Sequence, residues 1–66
     1  MRADREKLQL AMARACMNTK HLACATQLPI QTVNGTLRER GVRPATLGLI
    51  AKALGVDVAE ILKEEN

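Results

Sequence analysis

A basic segment follows a run of polar, uncharged side chains near the middle of the chain. The run contains Gln31, Thr32 and Asn34, and the segment 38–43 contains three arginines. Guanidinium groups bind phosphate oxygens through paired hydrogen bonds, and amide side chains hydrogen-bond the edges of bases. The pattern therefore indicates a surface that binds a nucleic acid. The alternative is a polar helix face and a charged loop that are only exposed to water.

The charge of the chain is distributed unevenly. Residues 1–52 hold nine basic and three acidic side chains, a net charge of +6, whereas residues 53–66 hold one basic and four acidic side chains, a net charge of −3. A cationic body beside an acidic end indicates a polyanionic partner, of which double-stranded DNA is the simplest. The chain contains no Phe, Trp or Tyr. Because proteins hold single strands by stacking bases on aromatic rings, a single-stranded partner is not expected.

The spacing of apolar residues predicts that residues 1–66 form a single all-α domain, and 66 residues leave no room for a second core. The first helix is predicted from Asp4 to Met17, with Asp4 as its N-cap. Its apolar residues recur at the spacing of one helix face. They are Leu8, Ala11, Met12, Ala15 and Cys16.

The second helix is predicted to begin at a cap of Asn18 or Thr19 and to run to about Gln27. Its inward residues are mostly small, which lets a neighbouring helix approach closely. These inward residues are Leu22, Ala23 and Thr26.

The third helix is predicted to begin near Pro29, because proline displaces the preceding residue from the helical region and is tolerated in a first turn. Apolar residues at i, i+3 and i+7 give this helix an inward face and leave the polar run outside. The inward face consists of Ile30, Val33 and Leu37. In the basic loop that follows, Gly41 is expected to permit the turn.

Two further helices are predicted after this loop. Pro44 opens the fourth helix and Gly55 ends it. Asp57 and Glu60 form an acidic capping box at the start of the fifth helix. No segment alternates with the two-residue period of a strand. The apolar stripe of the fourth helix consists of Leu47, Ile50, Ala51 and Leu54.

The order of these elements suits the major groove of DNA. Two short helices are joined by about three residues, and a basic loop follows the second of them. The groove admits one helix, whose first turn meets base edges while the preceding helix crosses the backbone. Arg40 and Arg43 would then lie near phosphates.

Four blocks of sequence, in this order along the chain, carry a family resemblance. They are Leu22-Ala23, Leu28-Pro29-x-x-Thr32-Val33, Arg43-Pro44 and Ile50-Ala51-Lys52-Ala53-Leu54-Gly55-Val56. With them the chain resembles the lambda-repressor and Cro type of helix-turn-helix domain, the XRE family, over roughly residues 8–62. The resemblance implies a compact, five-helix, lambda repressor-like DNA-binding domain with a helix-turn-helix.

The resemblance also implies which residues contact DNA. Thr19 matches a residue that contacts the DNA backbone, with Lys20 beside it. Gln31 is able to pair bidentately with adenine, and the methyl groups of Ile30 and Thr32 are placed to meet thymine methyls. The implied base contacts are Ile30, Gln31, Thr32, Asn34 and Gly35, and the implied backbone contacts are Thr19, Lys20, Arg38, Arg40 and Arg43.

Three residues depart from the family pattern. Gly35 stands where a long side chain is usual, and a glycine inside a helix costs roughly 1 kcal/mol relative to alanine. Thr36 takes a position that is normally buried and aliphatic. Gly41 comes later than the glycine that usually ends this helix. These departures leave open whether the third helix is rotated or ends early, and with it the roles of Asn34 and Gly35.

Other kinds of chemistry find little support in the sequence. His21 and Cys24 share a helix face, but together with Cys16 they supply only three of the four ligands that structural zinc takes. Cys16 and Cys24 form no CxxC pair, and the N-terminus does not combine a charged region with an apolar stretch of 7 to 15 residues, which predicts a cytoplasmic location. A disulfide is therefore not expected either, because thiols are kept reduced there. No apolar segment approaches the roughly 20 residues that cross a bilayer. With one histidine and scattered carboxylates, no enzyme, cofactor, metal or small-molecule substrate is expected.

The expected function is sequence-specific binding of double-stranded DNA by a transcriptional regulator, which the resemblance implies to be a repressor of bacterial or phage type. The alternative is a protein-interaction module on the same fold, antitoxin-like or a regulatory partner, since no Lys or Arg lies between Thr32 and Leu37. A homodimer on DNA is left open. It would have to use the domain itself, through the fifth helix and its surroundings.

Overall fold

The computed structural model describes residues 1–63, which form five α-helices. α2 packs against α3 and α4, α5 lies against α1 and α4, and α1 also contacts α3. The predicted all-α, five-helix fold is confirmed. The helices are α1 (Arg5–Arg14), α2 (Thr19–Thr26), α3 (Ile30–Leu37), α4 (Pro44–Leu54) and α5 (Val58–Ile61).

Every helix contributes to one apolar core. Leu8 of α1 and Leu22 of α2 have no exposed surface, and the predicted stripe of α4 is buried throughout. Burying one such leucine contributes about 1.5–3 kcal/mol, so the stripes hold the helices together. The residues with the largest fully buried side chains are Leu8, Leu22, Leu47, Ile50, Ile61, Val33 and Thr36.

The helices begin where the sequence predicts. The side chains of Asp4 and Asn18 each accept a hydrogen bond from the backbone N–H three residues later, at 3.1 and 2.8 Å. Pro44 is the first residue of α4. Asp57 and Glu60 form both hydrogen bonds of a capping box at the start of α5. Each bond satisfies a first-turn N–H that has no partner inside its helix.

α1 to α4 all end in the same backbone arrangement. In the Schellman motif a left-handed residue and the residue after it both donate N–H groups to carbonyls of the last turn. After α3, the N–H of Glu39 donates to Thr36 at 3.1 Å and that of Arg40 donates to Gly35 at 3.0 Å. The four left-handed residues are Cys16 (φ 55°), Gln27 (φ 59°), Glu39 (φ 62°) and Gly55 (φ 72°).

Two predictions about helix ends are wrong. α1 ends at Arg14 instead of continuing to Met17, and Cys16 is exposed instead of belonging to the buried stripe. After α3, the left-handed residue that turns the chain is Glu39 and not Gly41. In both turns the position of the left-handed residue follows from the Schellman bonds to the last helical turn, whatever the type of residue there.

The first residues of the chain form an extended segment that closes the core. Ala3 is fully buried and pairs with Leu62 in an isolated antiparallel bridge. The backbone of Met1 exchanges hydrogen bonds with Val42, whose N–H donates to the Met1 carbonyl at 2.7 Å. Residues 1–4 therefore connect the loop 38–43 with the segment after α5.

Candidate nucleic-acid interface

A three-residue turn, 27–29, joins α2 to α3. Gln27 is left-handed, and the N–H of Leu28 donates to the carbonyl of Ala23 at 3.2 Å. Pro29 is the N-cap of α3, with an extended backbone (ψ 144°). Its carbonyl accepts hydrogen bonds from the first turn of α3, at 2.9 and 3.3 Å. The predicted order of short helix, turn and helix that begins at a proline is confirmed.

The inward face of α3 is formed by Val33 and Thr36, and not by the predicted set of Ile30, Val33 and Leu37. Val33 and Thr36 are fully buried, and Leu37 is half-buried beside them. The hydroxyl of Thr36 donates to the carbonyl of Thr32 at 2.9 Å, so this polar group is hydrogen-bonded inside the apolar core. Threonine therefore occupies a position that is usually aliphatic without rotating the helix, and α3 runs to Leu37.

The outward face of α3 carries the residues predicted to contact bases. Gln31 is exposed, and Thr32 and Asn34 are half-buried at the two edges of this face. Ile30 is 41% exposed, so its predicted place on the inward face is wrong. At about 100° per residue, Ile30 falls at the margin of the inward face that Val33 and its neighbours define. Its exposure agrees with the predicted position among the outward residues.

The three arginines of the loop 38–43 are all exposed. Arg38 is the C-cap of α3, and Arg43 is the N-cap of α4. Arg40 lies against α3, because a Cβ added to Gly35 would stand 3.7 Å from the Arg40 Cδ. The loop thus brings Arg40 and Gly35 together, a contact between a predicted backbone-contacting residue and a predicted base-contacting residue.

The one carboxylate of this loop, Glu39, has other partners. Its Oε1 accepts a hydrogen bond from the Lys63 Nζ at 2.9 Å, and its Oε2 accepts one from the backbone N–H of Arg5 at 3.3 Å. The hydrogen bond from Lys63, followed by the one from Arg5, lowers the pKa of Glu39 below its usual value. Because the negative charge is held by these donors, it is not paired with the loop arginines.

The first turn of α2 lies close to the end of α3. Thr19, the first residue of α2, is half-buried and Lys20 is exposed. Thr19 and Leu37 line the same shallow groove of about 280 Å³. First-turn N–H groups have no partner inside their helix and favour anions. The position suits the predicted backbone contacts of Thr19 and Lys20, which stay predictions.

The side chains weighed as zinc ligands lie on the surface. Cys16 and Cys24 are free and exposed, and His21 is exposed. Within residues 1–63, no three His, Cys, Asp or Glu side chains are placed to hold a metal ion. None of the helices in this part of the chain combines the length and apolarity required to cross a membrane.

Sequence reasoning missed the role of Glu39 and the contact between Gly35 and Arg40. Both depend on the Schellman turn after α3, in which the residue at i+5 returns to residue i. The usual sequence signal for such a turn is a glycine, and here glutamate takes its place. Nothing in the sequence therefore indicated that Gly35 and Arg40 would lie in contact.

The family comparison agrees with this geometry. Residues 7–65 match the Cro/C1-type helix-turn-helix DNA-binding domain. The chain belongs to this family. It is therefore a DNA-binding domain of the Cro/C1 type, and the family resemblance seen in its sequence is confirmed.

Solved structures share the fold over the whole chain. A mutant of hydroxyethylphosphonate dioxygenase superposes with a TM-score of 0.85 at 24% identity, covering 100% of this chain and 14% of that one. Native PhpD with cadmium atoms and PhpD with cadmium and hydroxyethylphosphonate each give a TM-score of 0.84 at the same identity and coverage. At this identity the likeness concerns the fold alone. A search of curated proteins gives no match.

Proposed function

We propose that this Cro/C1-type domain is a transcriptional regulator that recognises a specific double-stranded DNA sequence with α3 in the major groove. The observation that carries the proposal is the outward face of α3, where Gln31 is exposed just after the turn and a loop with three exposed arginines follows. Groups that hydrogen-bond base edges are thereby next to groups that hold phosphates, which is the combination that a sequence-reading helix needs.

The proposed contacts to bases and to phosphates use different side-chain chemistry. The amide of Gln31 pairs with an adenine, and the methyl groups of Ile30 and Thr32 meet thymine methyls, with Asn34 beside them. Thr19 and Lys20 hold one strand at the start of α2. Arg38 and Arg43 hold phosphates at the other end of α3, where no carboxylate of the loop competes for them.

The regulator acts by binding and not by catalysis. Occupying an operator excludes other proteins from the same DNA, so the proposed action is repression, of the bacterial or phage kind, in the cytoplasm at the nucleoid. The chain needs no metal, cofactor or small molecule for this role, since duplex DNA is the only ligand that the contacts require.

Selection from a random duplex library at about 50 and 200 mM salt, followed by anisotropy on the winning site, tests the function. We expect one enriched motif whose affinity stays well above that of random duplex at the higher salt. Enrichment of no motif, with all binding lost at the higher salt, would mean that only the phosphate charge attracts the domain. That outcome would overturn the proposal in favour of a protein-interaction module.

We further propose that the regulator binds as a homodimer through the groove between α1 and α5. Leu10 is 53% exposed there, and the groove is also lined by Arg14, Val56 and Glu60. In a twofold pair each copy offers an apolar contact flanked by two basic side chains, Lys7 and Arg14, and by the acidic Glu60, so that opposite charges can pair across the axis. Opposite charges on a shared apolar groove suit a second copy of the chain.

Sedimentation equilibrium tests the dimer with two matched variants. Leu10→Glu should give a monomer, whereas Leu49→Glu, which changes a leucine of α4 that is 46% exposed, should leave the dimer intact. The selected motif should also be palindromic, with half-sites about one helical turn apart. A monomeric parent with a motif that lacks symmetry would overturn the homodimer while leaving the DNA-binding proposal standing.

A further inference from the structure

Gly35 lies at the centre of the outward face of α3. Gln31 and Gly35 are separated by one turn, so at about 100° per residue they are only about 40° apart on the helix surface. Gln31 is exposed, yet Gly35, which has no side chain of its own, is half-buried. Among the described residues other than its chain neighbours, the one side-chain atom within 4 Å of a Cβ built on Gly35 comes from the loop after α3.

Arg40 is the residue that covers Gly35. The Arg40 Cδ would be 3.7 Å from a Cβ on Gly35, which is an ordinary van der Waals distance. The N–H of Arg40 donates to the carbonyl of Gly35 at 3.0 Å, and Glu39 between them is left-handed. The Schellman turn thus returns the backbone to α3 and lays the aliphatic part of the arginine across the glycine.

The guanidinium of Arg40 is available to a ligand. Arg40 is exposed, and its guanidinium has no hydrogen-bonding or ionic partner within residues 1–63. The adjacent carboxylate of Glu39 is occupied by Lys63 and by the backbone of Arg5. No carboxylate within residues 1–63 therefore neutralises this charge, and the guanidinium continues from a Cδ that lies beside Gly35, one helical turn from Gln31.

We propose that Arg40 reads a guanine in the major groove, reaching the base across Gly35. The fork of an arginine matches the O6 and N7 acceptors of guanine, and this is the most frequent specific contact between a protein and DNA. The absence of a long side chain at position 35 leaves the space that the arginine occupies. The inference rests on the proposed function, because α3 must enter the groove, and it replaces the phosphate contact predicted for Arg40 from the sequence.

Binding of the selected duplex and of its single base-pair variants tests the assignment. For Arg40→Ala we expect discrimination at one G·C pair to fall by about 5-fold to 150-fold, which corresponds to one bidentate base contact, with the other positions unchanged. Arg43→Ala is the matched control and should weaken binding to all duplexes alike. Circular dichroism checks that both exposed-site variants are folded.

Two substitutions of Gly35 test the route across the helix. Gly35→Ala adds a Cβ at an ordinary contact distance, so the variant should keep the guanine preference. Gly35→Leu fills the space of the Arg40 side chain and should lose the same preference although the arginine is present. Loss of preference only in the leucine variant is the pattern that the proposed geometry requires.

The possible outcomes distinguish a failure of this inference from a failure of the proposed function. If the parent selects no motif, the proposed function fails. If the parent selects a motif and Arg40→Ala weakens every duplex as Arg43→Ala does, Arg40 is a phosphate contact and only the inference is wrong. A parent motif that Arg40→Ala leaves unchanged in both affinity and preference would overturn the inference as well.

Discussion

The Lys63 ammonium donates a hydrogen bond to the carboxylate of Glu39 over 2.9 Å, which ties the turn after α3 to the segment after α5. The other oxygen of Glu39 accepts from the N–H of Arg5, the first residue of α1. The left-handed residue just after α3 is thus bonded both to the start of α1 and to the segment after α5. The arginines on either side of it are left unpaired with this carboxylate.

Glu39→Gln should change how the stability of the domain depends on pH. The pKa of Glu39 is lowered in the folded chain, so unfolding takes up a proton in acid. The contribution of the ionised Glu39 to the free energy of unfolding is complete above the ordinary glutamate pKa of about 4.3. It is lost as the pH falls through the lowered pKa of the folded chain. Urea unfolding of parent and variant between neutral and acidic pH should therefore converge in acid.

The effect at neutral pH should be small because about a third of each of the two side chains is exposed to solvent. Lys63→Gln provides the control, since it removes the other partner of the same hydrogen bond. The double variant should lose no more stability than either single variant, because both substitutions remove the same hydrogen bond. Equal pH dependence of the parent and Glu39→Gln would contradict the assigned role of this carboxylate.

Gln27→Gly should stabilise the domain by about 0.5–1 kcal/mol. A left-handed residue with a side chain costs roughly 1–2 kcal/mol, and a glycine removes this cost. Part of the gain is lost again because glycine has greater conformational freedom in the unfolded chain. Gly55→Ala is the reciprocal control and should destabilise by about 1 kcal/mol, because φ is positive there too. Chemical denaturation measures both. A less stable Gln27→Gly would show that the glutamine side chain contributes more than its backbone conformation costs.

Thr36→Val and Thr36→Ser should separate the contributions of the buried hydroxyl and methyl group of Thr36 to stability. The hydroxyl already bonds within the helix, so valine, which has the same shape, should change the free energy of unfolding by less than about 1 kcal/mol. Serine removes a buried methyl group and should cost about 1 kcal/mol or more. If valine proved the more damaging change, the hydroxyl would be the part that holds α3 in register.

Gln31→Ala and Arg43→Ala should affect DNA binding in different ways. Loss of the Gln31 amide should reduce discrimination at one base pair by roughly 1–3 kcal/mol, because the other contacts remain. Arg43→Ala should weaken all duplexes similarly and reduce the slope of log affinity against log salt by about one. Anisotropy titrations over a salt series measure both quantities. Two variants that bind every duplex as the parent does would refute docking through α3.

Signals that act within a few residues were readable in the sequence. Asp4, Pro44 and the pair of Asp57 and Glu60 fix helix starts because their bonds reach only the next turn. The periodic apolar residues likewise define the inward face of α4, and the ordered sequence blocks identify the family. The fold and the outward position of Gln31 follow from these local patterns.

The sequence alone determined the five-helix order and the polar face of α3, because caps, prolines and helical periodicity are local properties. The structure decided the rest, through contacts between distant segments and through the backbone bonds of the turn after α3. Glu39 is bonded to Arg5 and Lys63, and Ala3 pairs with Leu62. The chain turns at Glu39 and Arg40 lies across Gly35 because the end of α3 must satisfy its own carbonyls. That requirement acts on the backbone, and side-chain types do not reveal it.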